Sequence, residues 1–382
     1  MGTPTVADLV NAVERIAPPT LAESWDRVGL QVGSRASFLA GPVLLTIDLT
    51  ERVLDEAVGC GASAIIAYHP PIWNPLKAIT DATPRERIVY RAIQSGIAIY
   101  SPHTALDAAP GGLTDWLCEC LSHEGTSVPG DCRALTPFSQ PESTREVKIV
   151  TFLPEKDLDR VRMAMASAGA GIIGRYRVCS FASPGTGSFF GLDGSNPSVG
   201  SPGQVETVPE VRLEMVCSHR ALPIAVETIR GFHPYEEPAI DVYDLHGEPR
   251  RGVGLGRRLV LDQPATVSEL ARRLREHLGV SRIQVALTDE ADPARATIGV
   301  VAGSGGDALA LAIREKCEVF VTGEMTHHAI LDALQSGVSV VLAGHTNTER
   351  GFLPRLARRL GEAVRGVEFR VSTSDADPLR RL

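Results

Sequence analysis

Val338-Ser339-Val340-Val341-Leu342-Ala343-Gly344-His345-Thr346-Asn347-Thr348-Glu349-Arg350-Gly351 is the stretch that decides the fold. Its first six residues form an apolar run that reads as a buried strand. The residues that follow, Phe352-Leu353-Pro354-Arg355-Leu356-Ala357, read as a helix start. His345 and Glu349 therefore lie in a strand-to-helix turn, four residues apart. At the carboxyl end of a buried strand such a turn faces the crevice where α/β proteins place their sites. An imidazole and a carboxylate so close together suit a hard or borderline divalent metal. The bland alternative for an isolated pair is a capping His beside a surface Glu, so earlier stretches have to decide.

Those stretches repeat the pattern. The apolar run Ala64-Ile65-Ile66-Ala67-Tyr68 runs straight into His69-Pro70-Pro71-Ile72-Trp73. Ile97-Ala98-Ile99-Tyr100 runs into Ser101-Pro102-His103-Thr104-Ala105-Leu106-Asp107, and Val319-Phe320-Val321 meets Thr322-Gly323-Glu324. Thus His69, Asp107, Glu324, His345 and Glu349 each fall at or just after a strand end, and the carboxyl edge of one sheet would gather them. Helical segments Glu51–Val58 and Arg85–Ser95 alternate with the strands, which predicts an α/β fold with a mainly parallel sheet. Oxygen and imidazole donors without thiolates point to Mn, Fe, Zn, Co or Mg. A carboxylate that can bridge is what a two-metal site needs.

The pattern shifts near residue 125. Residues 126–145 are rich in Ser, Pro, Gly and Thr and read as a linker. Over 146–250 the order strand, helix, strand, strand, helix, strand predicts a ferredoxin-like α+β unit, with 182–208 as a flexible hairpin. After Gly252 the α/β pattern resumes. An α/β domain made of 1–125 and 251–382 is therefore expected to be split by an inserted domain.

The bulk numbers narrow the function classes. A chain of 382 residues has room for two or three domains. Its net charge of −8 argues against a nucleic-acid or membrane-surface binder, whose affinity would come from a basic face. No apolar run approaches the roughly 20 residues of a membrane helix. Met1-Gly2-Thr3-Pro4-Thr5 does not open a secretion signal. Seven cysteines without a framework point to a reducing cytoplasmic compartment.

With these motifs in order, the chain resembles the Nif-three-like family, whose bacterial members are often labelled GTP cyclohydrolase I type 2 homologues. The resemblance rests on Tyr68-His69-Pro70-Pro71-Ile72-Trp73, Ser101–Asp107, Thr322-Gly323-Glu324-Met325-Thr326-His327-His328 and Gly344–Glu349, and extends to Trp25-Asp26 and Gly29-Leu30. It implies a dinuclear centre with two divalent metal ions per subunit and a toroidal homohexamer. It further implies that residues 146–250 are an insert similar to the PII and CutA folds, with Gly231-Phe232-His233-Pro234-Tyr235-Glu236-Glu237-Pro238 as its signature. Carried over by motif, the ligands are His69, Asp107, His345 and Glu349, with Glu349 bridging. Many bacterial members have two adjacent histidines where this chain has Tyr68-His69, so Tyr68 or water would complete the site beside Asp107.

Other residues join as candidates. His103 reads as a ligand, a proton shuttle or a turn residue. Glu324 reads as a general base or as a group that orients water. His327 and His328 open a helix, one facing the cleft to support a ligand and the other packing outside. Gly303, Gly305 and Gly306 read as a packing turn, since no P-loop Lys accompanies them. Two functions compete: a metal-dependent hydrolase acting on a nucleotide, phosphoester or cyclic C–N bond, and a non-catalytic regulatory or scaffold ring whose insert senses a small ligand.

Overall fold

The computed structural model describes residues 2–122, 131–139 and 142–379. The chain divides into two compact units, one made of residues 1–138 and 250–382, the other of 139–249.

The first unit is a mixed α/β body in which the described residues form two larger sheets and a two-stranded ribbon of Thr136–Phe138 with Arg250–Leu255. In one, strands run in the order Gly29–Val32, Ala98–Ser101, Ala64–Ala67, Val43–Thr46, Phe369–Val371. All neighbours are parallel except the first pair. The strands Val43–Thr46, Ala64–Ala67 and Ala98–Ser101 are buried along their whole length, as continuous apolar runs covered on both faces must be. Their helices start on threonine caps: Thr50 accepts from the amide of Val53 and Thr83 from that of Glu86. The last strand, Phe369–Val371, returns from the far end of the sequence and pairs in parallel with Val43–Thr46.

The other sheet runs Gln284–Ala286, Ser339–Leu342, Val319–Thr322, Arg295–Val300, Arg257–Ala265, Asp131–Arg133. Its central junctions are parallel and the outer ones antiparallel. Two expectations are corrected here. The candidate residues come from two sheets rather than one, and the second sheet is mixed rather than mainly parallel. The antiparallel strands are hard to see in sequence because Arg257–Ala265 reads RRLVLDQPA, opening on two arginines and closing on Asp262, Gln263 and Pro264. Asp131–Arg133 and Thr136–Phe138 lie within the stretch read as a linker. Residues 126–130 and 140–141 of that stretch fall outside the described residues.

Arg257 explains part of the disguise. It is fully buried, yet it is charged. Its Nε donates to Asp115, and its Nη1 donates to the carbonyls of Gly254 and Gly256. Its Nη2 reaches the carbonyl of Ala109 at 3.2 Å. A guanidinium with its donors matched in this way is tolerated inside, and it ties the Arg257–Ala265 strand to the Leu113–Glu119 helix.

The second unit follows the order strand Val147–Leu153, helix Leu158–Ser167, strands Ser180–Phe190 and Val205–Cys217, helix Leu222–Phe232, strand Ile240–Asp244. The spatial order is Ile240–Asp244, Val147–Leu153, Val205–Cys217, Ser180–Phe190, all antiparallel. Val147, Ile149, Leu213 and Met215 pack against Val161, Met165, Ala225 and Ile229 of the helices. The region read as a flexible hairpin is paired from Ser180–Met215 out to Phe190–Val205. Pro184 and Pro209 sit in that ladder because Ser180–Phe190 is an edge strand, and beyond Val211 the Val205–Cys217 strand has no neighbour but it.

Candidate metal centre

Four strand ends of the first unit deliver the side chains. Tyr68 and His69 follow Ala64–Ala67, while His103 and Asp107 lie on the short helix His103–Ala108 after Ala98–Ser101. Glu324 follows Val319–Thr322, and His345 follows Ser339–Leu342. Glu349 lies on the helical turn Asn347–Arg350.

Among the described residues, His69, His345 and Glu349 form a group whose ligand atoms all lie within 4.8 Å of one another, as a metal ion requires. Glu349 is 2 % exposed. Its Oε1 lies 3.4 Å from Nε2 of His345, and its Oε2 lies 3.6 Å from Nε2 of His69. Oε2 has no hydrogen-bond partner among the described residues, and a buried carboxylate oxygen left so, beside two imidazoles, suits a cation.

Each imidazole is held from behind. Nδ1 of His69 lies 2.9 Å from Asp48, Nδ1 of His345 lies 2.9 Å from Glu324, and Nδ1 of His103 lies 2.7 Å from Asp26. A carboxylate at Nδ1 fixes the tautomer and leaves Nε2 as the free donor, the arrangement that metal-binding histidines use. Burial pulls the His69 imidazole down, but the Asp48 hydrogen bond and the neighbouring Glu349 and Asp48 carboxylates override it and raise it to about 10. Burial opposes ionisation of Asp48, and the His69 imidazole outweighs it, so its carboxyl lies below the ordinary value.

Asp107 stands outside the converging group. It accepts a 2.7 Å hydrogen bond from the hydroxyl of Tyr68. Burial raises its carboxyl to about 6, against the Tyr68 bond that favours its charge. Burial, and then the charges of Asp107 and Glu349, push the Tyr68 phenol well above its ordinary value. Tyr68 thus stays protonated and donates a hydrogen bond to Asp107.

His103 joins the cluster with its ring 5.3 Å from that of His69. Its backbone is left-handed, with φ 28°, a strained setting for a residue with a side chain. The buried Asp26 carboxylate holds it there while also accepting from the amides of Arg27 and Thr104 and the Thr104 hydroxyl. Burial works against the Asp26 charge, and His103 and Thr104 outweigh it and lower its carboxyl.

His327 and His328 are the first two residues of the helix His327–Gln335, which Thr326 caps; both are exposed, and their rings lie 5.8 Å from each other.

Three contributors were missed from sequence. Asp48 obeys the same strand-end rule as the others, following Val43–Thr46, and could have been found by it. Asp26 lies in the Trp25-Asp26 stretch that carries the resemblance, which gives it no site role. Gly303 was read as packing, but a Cβ there would lie 2.7 Å from Oε1 of Glu349 and 3.2 Å from Nε2 of His345. Its amide donates to the Thr348 hydroxyl, which fixes that approach.

A cleft of about 520 Å³ opens beside the group, lined by Asp48, His69, Glu324, His345 and Thr346. No helix among the described residues is long and apolar enough to cross a membrane.

Known proteins share this sequence and this fold. The chain is 34 % identical over 374 residues to a Bacillus subtilis protein named GTP cyclohydrolase 1 type 2 homolog, covering 97 % of this chain and 96 % of that one. It is 32 % identical over 381 residues to NIF3-like protein 1 of Rattus norvegicus, covering 97 % and 91 %. The crystal structure of a Bacillus cereus protein related to NIF3 superposes with a TM-score of 0.67 at 32 % identity, covering all of both chains. Residues 4–378 match the family model described as Duf34/NIF3 (NGG1p interacting factor 3), and the chain belongs to that family.

Proposed function

We propose that this protein is a metal-dependent hydrolase that holds two divalent cations per chain, drawn from Zn, Mn, Fe, Co or Mg, and acts on a nucleotide, a phosphoester or a cyclic C–N bond. The observation that carries this reading is the Glu349 carboxylate, buried, with its two oxygens turned to two different imidazoles and one of them unpartnered. His69 and His345 would hold one ion with Glu349, and Asp107 would hold the second with the same carboxylate. Such ions supply Lewis acidity and lower the pKa of water toward neutrality.

The chain's own residues do the rest. Asp48 and Glu324 keep the Nε2 atoms of His69 and His345 aimed at Glu349. Tyr68 orients Asp107 by donating to it. Glu324, half exposed on the cleft wall, is placed to take a proton from a reacting group. His103, fixed by Asp26, would return one to a leaving group.

The order of elements and strands in residues 139–249 supports reading them as a ferredoxin-like insert in a Nif-three-like domain. A homohexamer in a cytoplasmic compartment fits the family and the free cysteines. A regulatory reading is favoured by one observation in the insert: a cavity of about 380 Å³ walled by Phe152, Phe189, Tyr235 and Glu210 that could take a small effector.

Incubating the metal-loaded protein with a panel of nucleotides, phosphoesters and cyclic amides decides between them. Turnover that is lost on chelation and falls at least a hundredfold in Glu324→Gln supports the hydrolase. The absence of turnover with every class would leave the regulatory reading.

A further inference from the structure

Two large aromatic side chains lie in the open next to the cluster. Trp25 is 53 % exposed and Trp73 is 40 % exposed. Their ring centroids are 5.6 Å apart, with the planes tilted by 49°, so neither covers the other's face. Both meet the His103 ring edge-on, at 6.1 Å and 5.7 Å. His103 lies 5.3 Å from His69, and His69 lies 5.5 Å from His345. A continuous row of rings therefore leads from the open tryptophan pair to the candidate metal ligands.

The pair is held in place. Gln31 bridges the two loops that carry it: its amide nitrogen donates to the carbonyl of Arg27, and its amide oxygen accepts from the backbone of Ile72. Trp25 directly precedes Asp26, whose carboxylate is pinned by four hydrogen bonds. Exposed apolar area fixed beside a polar site, rather than left on a mobile tip, is the form of a recognition surface. Tilted tryptophans with free faces offer stacking to any flat π-system, whatever its edge substituents.

We infer that Trp25 and Trp73 form the platform that binds a flat aromatic or heteroaromatic ring of the substrate, with the bond to be cleaved reaching past His103 to the metal cleft. This rests on the hydrolase reading above and narrows it: the substrate is a ring-bearing molecule such as a nucleoside derivative, and a ringless phosphoester is a poor one.

The chain has three tryptophans, and the third, Trp116, is buried, so intrinsic fluorescence reports on the pair. Titration with guanosine should give saturable quenching, and ribose 5-phosphate should give none. Chelated and metal-loaded protein should both respond, because stacking needs no cation. Trp25→Leu and Trp73→Leu should each weaken guanosine binding by roughly tenfold or more, and Trp73→Phe, which keeps a ring, should stay within about threefold of wild type. Quenching that does not saturate, or that persists unchanged in both Leu variants, overturns the platform. So does a wild-type emission maximum as blue as that of buried tryptophan, which would show a second copy covering the pair. Metal content measured on the same samples separates the two readings. Metal without ring binding overturns only the platform, and ring binding without metal overturns only the metal reading.

Discussion

Oε2 of Glu349 stands 3.6 Å from Nε2 of His69, and the two residues belong to different sheets. Glu349 comes with the strands of the second sheet and His69 with those of the first. The site therefore exists only when both halves of the split unit are assembled. A carboxylate that is 2 % exposed and leaves one oxygen without a hydrogen bond needs positive charge beside it. The protonated His69 supplies that charge in the metal-free protein, and a cation between Glu349 and the two imidazoles would take its place.

Gly303→Ala should remove metal while sparing the fold. The added Cβ would lie 2.7 Å from Oε1 of Glu349, and φ at this position is +62°. The new methyl and the strained backbone cost about 1–2 kcal/mol, which a folded unit of this size tolerates. Elemental analysis should find bound metal reduced at least tenfold, with an unchanged far-ultraviolet spectrum. Wild-type metal content in this variant would show that the close approach of Gly303 has no role.

Metal affinity should rise with pH. In the metal-free protein the His69 imidazole is raised to about 10, so it is protonated at neutrality, and a cation must displace that proton. Because the folded value exceeds the unfolded one, the proton stabilises the metal-free fold fully below the ordinary histidine value of about 6.5, and that contribution is lost as pH rises through about 10. Between those limits each pH unit should tighten Zn or Mn by about tenfold for this one proton. Calorimetric titrations at pH 7 and 8 check it, and an affinity that does not change with pH contradicts it.

Much of the site was legible because strand ends are legible. A buried strand is a short apolar run, and the polar residues just after it mark the carboxyl edge, which points to His69, Glu324 and His345 and, a few residues further on, to Asp107 and Glu349. What sequence could not show was which sheet each strand joins. Pairing is a long-range property, and the antiparallel strands around Arg257 carry charge that looks like surface. Nor could it show Asp26 serving His103 across 77 residues, or that the hydrogen of Tyr68 goes to Asp107. Those depend on distances that exist only in the fold.

Arg257→Leu should be strongly destabilising even though it replaces a charge with an apolar side chain. It strands Asp115 and leaves the carbonyls of Gly254, Gly256 and Ala109 without their donor. Breaking one side of a buried ion pair costs about 3–5 kcal/mol. Urea unfolding should show a clearly lower midpoint, and a midpoint equal to wild type would mean that water replaces the guanidinium without cost.

Tyr68 variants test the second ion. Tyr68→Phe removes the donor that orients Asp107, worth about 1 kcal/mol, and should weaken the site beside Asp107 without touching the one between His69 and His345. Tyr68→His supplies a neutral nitrogen at the same strand end and should tighten the site beside Asp107. Titration with Mn reads both, and identical isotherms for wild type, Phe and His would remove Tyr68 from any influence on metal.

The most direct measurement is metal stoichiometry in wild type and Glu349→Ala, by elemental analysis of protein loaded with Zn or Mn and then desalted. If Glu349 bridges two ions between His69, His345 and Asp107, wild type should carry two per chain, and the variant should retain neither at comparable affinity. A folded Glu349→Ala protein that keeps the wild-type complement would contradict the account.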